Sequence, residues 1–234
     1  MVEASAPPSG RVSAGLLVRM LIRWIVGMGM IGLMLFLPAG TWAYWPGWLY
    51  CGVLFIPMLF VLAYFLVRDP ALLERRMRFK EKEQAQRRAL GFGNVAMIVG
   101  FLVPGFDYRF GWSKLPAAII LAAAGVVLLG YLLFFFVLRA NSYASRVVEI
   151  EAGQQLITTG PYAWVRHPMY SAVLVMFMFT PLALGSYWAL LPFSGLIPTL
   201  VLRIRNEEQV LRDGLEGYAE YCERVRFRLV PGVW

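Results

Sequence analysis

The chain has 234 residues, of which 59% are hydrophobic and 15% charged, and its mean hydropathy is +0.63. Those values exclude an ordinary soluble domain and predict an all-α integral membrane protein with about five to six transmembrane helices. The net charge of +8 is explained below by membrane orientation and attraction to lipid headgroups, so no nucleic-acid partner is expected.

In chain order, residues 1–12, "MVEASAPPSGRV", read as a mobile polar tail. Apolar runs over 22–44, 47–67 and 116–138 are long enough, at 1.5 Å per residue, to cross a hydrocarbon core about 30 Å thick. The first follows Arg19 and Arg23 and ends near "LPAGTWA", as a signal peptide might be read to do. It runs on to spanning length, and Trp42 and Tyr44 suit an interface better than a cleavage site. Trp42, Tyr44, Trp45 and Trp48 are expected in an aromatic belt. "GMGMIG" at 27–32 matches a dinucleotide-binding pattern literally. That pattern works between a strand and a helix, whereas here it sits inside an apolar span, where small residues serve helix packing.

The loop 68–88 mixes charges and places Leu72, Leu73 and Met77 at helical spacing, so it predicts an amphipathic helix lying on the membrane surface. Residues 89–106 are apolar but interrupted by Gly91, Gly93, Gly100 and Pro104, which neighbouring helices must accommodate. Residues 169–184 and 187–203, divided by Gly185-Ser186, predict a short helical hairpin, and a cytosolic helix follows. With these spans, 20 of the 22 Lys and Arg residues fall on one face and only Arg109 and Lys114 on the other. Both termini are therefore expected in the cytoplasm. Cys51 and Cys222 are too separated to suggest a disulfide or metal framework, and a single histidine makes a zinc site improbable, so no metal is expected.

The chemistry concentrates in 146–170 and 203–234, which flank the hairpin on one side and can meet. "TTGPYAWVRHPMY" at 158–170 is a turn leading into a helix start, with Pro168 suited to the first turn. Arg166 and His167 project from near that helix N-terminus, where backbone N–H groups and the dipole favour an anion. Singly, these residues are explained by headgroup contacts and a belt of aromatics; together with a second polar cluster they point to a ligand site. That cluster is "RIRNEEQVLRDGLEGYAEYCERVRFRLVPGVW". In it Arg203 and Glu207 share a helix face at i and i+4, and Ile204, Leu211, Leu215 and Tyr218 trace an apolar stripe.

The ordered set "GPYAWVRHPMY", "TPLALGS", "RIRNEE", "GYAEY" and "RVRFRLVPGVW" closely resembles the isoprenylcysteine carboxyl methyltransferase family and its bacterial relatives. The resemblance covers residues 146–234 strongly and the earlier spans in general character. It implies one membrane methyltransferase domain over 1–234 with a catalytic core at 146–234, located in a bacterial inner membrane. It also implies that S-adenosyl-L-methionine arrives from the cytosol and a lipophilic small-molecule or lipidated acceptor from the bilayer. By resemblance the cofactor falls to Gln154, Gln155, Leu156, Ile157, Tyr162, His167, Pro168, Met169, Tyr170 and Glu207. Arg203 falls to the acceptor as a catalytic and substrate-binding residue, and Arg166 is expected beside it as a catalytic residue. The family's further upstream glutamine has no counterpart, since Val147-Val148 stands near its place.

The chemistry agrees with a carboxylate acceptor. A terminal carboxylate, with a reference pKa of about 3.3–3.7, is ionised at neutral pH and needs no base. An amine of a phospholipid or a thiol would need deprotonation, for which one histidine is a thin supply. The rival readings are an NADPH-dependent membrane reductase of the sterol-reductase type, for which no extra basic site for a 2′-phosphate is evident, and a lipid-binding protein that keeps the fold without catalysis.

Overall fold

The computed structural model describes residues 14–76, 84–143 and 153–234, and among them there are helices and turns but no strand. The expected tail at 1–12, the centre of the 68–88 loop with Met77, and Val147-Val148 lie outside the described residues. The helices are α1 (Ala14–Ala39), α2 (Trp45–Arg68), α3 (Pro70–Arg76), α4 (Gln84–Phe110), α5 (Ala117–Ala140), α6 (Pro168–Ala183), α7 (Leu190–Ser194), α8 (Leu196–Gly214) and α9 (Tyr218–Arg224), with a 3-10 turn at Gly160–Ala163. Segments Gly15–Ala39, Trp45–Arg68 and Ala117–Ala140 have mean hydropathies of 2.0, 2.3 and 2.7 and are long and apolar enough to cross a membrane. Few of their residues are buried inside the protein, so lipid contact, and not an interior, explains why they are apolar.

α5 packs along α6 and α1 along α4, while α4 also meets α7 and α8, and α2 lies against α5. The main core joins Leu35, Phe36, Tyr44 and Tyr50 of the first two helices to Phe101, Val127, Leu184 and Phe193. α1 and α4 touch backbone to backbone at Gly105, where a Cβ would run into the Leu35 carbonyl oxygen. No side chain fits that crossing.

Several sequence expectations need correction. Tyr44 is fully buried, because its hydroxyl donates to the Leu184 carbonyl at 2.6 Å; it is a core residue and not a belt aromatic. Trp42, by contrast, is 72% exposed and fits the belt. Gly27, Gly29 and Gly32 have open space where a Cβ would stand, so they pack no helix among the described residues. The start of the 68–88 loop forms an amphipathic helix, α3, with Ala71 and Glu74 exposed, but its apolar side faces the protein: Leu72 and Leu73 are buried against Leu16, Met20, Phe65 and Leu138. The second arm of the hairpin is two helices, broken at Gly195, and α8 runs past the expected end at 203. That extension carries Glu207 and Glu208 on the same continuous helix as the hairpin arm and not on a separate cytosolic helix.

At the end of the molecule away from Arg203, Asp107 ties three segments together. It is 1% exposed and accepts from the Ser113 backbone N–H at 2.6 Å, from Ser113 Oγ at 2.7 Å and from Ser186 Oγ. Ser113 Oγ in turn accepts from the Tyr187 N–H at 3.1 Å. The end of α4, the turn into α5 and the α6–α7 turn are thereby closed on one carboxylate.

Candidate active site

The start of α6 is held by the last part of the chain. His167 is the N-cap residue and Pro168 opens the helix, where its missing N–H leaves nothing unsatisfied. The preceding N–H groups pair outward: Arg166 donates to the Phe227 carbonyl and His167 to the Arg228 carbonyl, both at 2.9 Å. Ser171 Oγ adds a hydrogen bond to the Leu229 carbonyl at 2.6 Å.

Beneath this pairing is a buried ionic cluster. Arg166 Nε donates to Glu208 Oε1 at 2.7 Å, and its Nη1 donates to the carbonyls of Val225 at 2.8 Å and Arg226 at 3.0 Å. Arg228 Nε donates to Glu208 Oε2 at 2.9 Å. Burial pushes the Glu208 carboxyl up, but contact with His167 and the hydrogen bonds from Arg166 and Arg228 outweigh it and hold the group at about 2. His167 Nε2 stands 3.4 Å from Glu208 Oε1 and has no hydrogen-bond partner among the described residues.

A second network faces the open side. Arg203 Nε donates to the Tyr170 hydroxyl at 2.8 Å, and that hydroxyl donates to Glu207 Oε2 at 2.6 Å. The Tyr170 phenol of α6 thus joins Arg203 and Glu207, which stand at i and i+4 on α8. His167 Nδ1 lies 3.8 Å from Glu207 Oε1 on the other side. Tyr162 is fixed by Asn141 Nδ2, which donates to its hydroxyl at 3.0 Å, and by Tyr221, whose hydroxyl donates to its carbonyl at 2.7 Å. Burial, opposed by the Asn141 hydrogen bond and aided by Glu207, pushes the Tyr162 phenol up to about 12, so it stays neutral.

These groups surround one solvent-open cavity. Gln154, Gln155, Leu156, Ile157, Tyr162, His167, Pro168, Met169, Tyr170 and Glu207 all line it, as do Arg166 and Arg203. Residues brought from the turn before α6, from α6 itself and from α8 therefore converge on one space. Arg166 differs from its expected part: it is 6% exposed, and its donors are given to Glu208 and to the 225–226 backbone. Sequence reading missed Asn141, Tyr143, Val210 and Tyr221 in the wall, and Glu208 beneath it. Leu211, Leu215 and Tyr218 were visible as part of an apolar stripe, but helical spacing does not tell a packed face from a cavity face. Among the described residues, no three His, Cys, Asp or Glu side chains gather as a metal site would need.

Residues 119–213 match the sequence model of the isoprenylcysteine carboxyl methyltransferase (ICMT) family. The uncharacterized protein YpbQ of Bacillus subtilis strain 168 is 24% identical over 164 residues, covering 67% of this chain and 98% of the relative. The Delta(14)-sterol reductase TM7SF2 of Mus musculus is 32% identical over 92 residues, which is 37% of this chain and 22% of the reductase. The family resemblance read from the sequence is thereby shown over 119–213. That region is similar to a methyltransferase family, and among the described residues three helices are long and apolar enough to cross a membrane.

Proposed function

We propose that the protein transfers a methyl group from S-adenosyl-L-methionine to the carboxylate of a lipophilic acceptor, an isoprenylcysteine-like acid, at the cytosolic face of a bacterial inner membrane. The observation that carries this reading is that all ten residues matched to the family's cofactor set, together with Arg203, line one cavity beside the membrane helices. The cofactor, when bound, supplies a methyl group on a sulfonium. The chain's task is then to orient two reactants and to exclude water.

In this reading Tyr170 and Glu207 belong to the cofactor, and their hydrogen bond keeps the phenol aimed. Arg203 holds the acceptor carboxylate with charge-assisted hydrogen bonds, and its planar fork sets the direction of attack. No residue needs to remove a proton, because the acceptor is already ionised. Arg166 becomes a positioning residue: bound to Glu208 and to the 225–226 carbonyls, it fixes where α6 begins and therefore where His167 and Tyr170 stand. The excess of basic residues on the Arg203 side supports cytoplasmic termini, with 1–234 as one domain and 146–234 as its catalytic core.

The similarity to Delta(14)-sterol reductase over 37% of the chain favours a second reading, NADPH-dependent reduction of a lipophilic acceptor. Detergent-solubilised protein titrated calorimetrically with S-adenosylmethionine and with NADPH separates the two. The methyltransferase reading expects heat from the first alone, and transfer of labelled methyl from it to an S-prenylated cysteine as a base-labile ester. Binding of NADPH without S-adenosylmethionine would overturn it.

A further inference from the structure

Three buried side-chain polar atoms lack a hydrogen-bond partner among the described residues: Trp24 Nε1, His167 Nε2 and Tyr218 Oη. Such atoms are few in native proteins, because a buried donor without an acceptor costs about 1–3 kcal/mol. Two of these three belong to residues in the cavity wall. His167 is among the residues the family resemblance gives to the cofactor; Tyr218 is not, and nothing in the two networks above uses its hydroxyl.

Tyr218 is rigidly presented. Gly217 has φ +78, a left-handed turn that side chains disfavour, and it swings the chain from Leu215 into α9. The Tyr218 ring, 3% exposed, packs with Leu215, Tyr221, Leu156 and Leu211. Its neighbour Tyr221 provides the contrast. The two rings are 5.8 Å apart, yet the Tyr221 hydroxyl is committed to the Tyr162 carbonyl. A phenylalanine at 218 would keep the same packing and remove the unsatisfied group. Burial first, and then the nearby Glu208, keep the Tyr218 phenol above its ordinary range, so the hydroxyl is a neutral donor.

We propose that the Tyr218 hydroxyl is a cofactor-binding group that donates a hydrogen bond to the adenosine half of the bound S-adenosylmethionine. The proposal rests on the methyltransferase reading. The neighbouring wall, Leu156, Leu211 and Leu215, is apolar and suits a flat, uncharged base. The cofactor's carboxylate would fit less well there, because Glu207 and Glu208 both bear on this phenol. A ring nitrogen or a ribose oxygen accepts from the hydroxyl without that repulsion.

The test compares Tyr218→Phe with Tyr221→Phe in detergent-solubilised full-length protein. Melting temperature is measured for each, with calorimetric affinity for S-adenosylhomocysteine and for 5′-methylthioadenosine, which keeps the adenosine half and lacks the amino acid. Tyr218→Phe should melt at or above the wild type while both affinities fall by a common factor of roughly ten or more, the effect of one lost ligand hydrogen bond. Tyr221→Phe should melt lower, because it leaves the Tyr162 carbonyl without its donor. Wild-type affinity in Tyr218→Phe would overturn the proposal, as would a melting loss like that of Tyr221→Phe, or weakened S-adenosylhomocysteine with methylthioadenosine untouched. A wild-type protein that binds neither compound would instead bring down the methyltransferase reading itself.

Discussion

Glu208 and Asp107 are both buried carboxylates, 4% and 1% exposed, yet they are satisfied in opposite ways. Glu208 is gripped by two guanidinium groups, those of Arg166 and Arg228. Asp107 is held by a backbone N–H and by the hydroxyls of Ser113 and Ser186, the latter 79 residues away. Removing Glu208 would strand buried cations, whereas removing the charge at Asp107 leaves hydroxyls that can turn to other acceptors. The first arrangement fixes the start of α6 through paired charges; the second joins the turns of the bundle through hydrogen bonds to backbone and hydroxyls.

The largest expected effect is at Glu208. Glu208→Ala should cost about 3–5 kcal/mol, as for other buried pairs that lose one partner, read as a large drop in melting temperature together with lost S-adenosylmethionine binding. The same group should confer acid sensitivity. Its ordinary value of 4.5 is lowered to about 2 in the folded protein, so its stabilisation is complete above about 4.5 and fades as pH falls toward about 2. Melting temperatures of the wild type should therefore fall between pH 5 and 3, and Glu208→Gln should flatten that dependence. A wild-type melting curve that ignores acid would refute the contrast between the two carboxylates.

Next in size is Arg203→Lys, which keeps the charge but loses the fork. It should lower kcat by about 10²-fold, the scale of a 1 Å misplacement, with little change in melting temperature or in KM for S-adenosylmethionine. Matching losses of stability with normal turnover would make the Arg203–Tyr170–Glu207 network a mere brace. The smallest effect is expected at the opposite end. Asp107→Asn should lower stability by about 1–3 kcal/mol and leave both kinetic constants as they were, since the Asp107 carboxylate bonds to Ser113 and Ser186 and does not line the cavity.

What could be read beforehand followed from local rules. The span positions came from run length, and the convergence of His167, Tyr170, Arg203 and Glu207 from an ordered motif set. What could not be read depended on partners far along the chain. Glu208 is adjacent to Glu207, but helical spacing offers it only Arg205 and Arg212 on its own helix, and nothing local reveals that its partner Arg166 is 42 residues away. Tyr44 looked like its exposed tryptophan neighbours because the Leu184 carbonyl that buries it is 140 residues distant. The paired N–H groups of Arg166 and His167 were equally invisible, as backbone bonds leave no mark in side-chain identity.

Those backbone pairings also set a schedule. The Arg166 and His167 N–H groups bind the carbonyls of Phe227 and Arg228, and the Arg166 side chain reaches the Arg226 carbonyl 60 residues away. At a synthesis rate of about 5–20 residues per second, roughly 3–12 s separate the appearance of one side from that of the other. Helices α1, α2 and α5 are already made by then and can enter the bilayer on their own hydropathy. The ribosome thus delivers the long apolar helices before the segment that completes the cavity wall, and the start of α6 is fixed only when residues 225–229 fold back onto it.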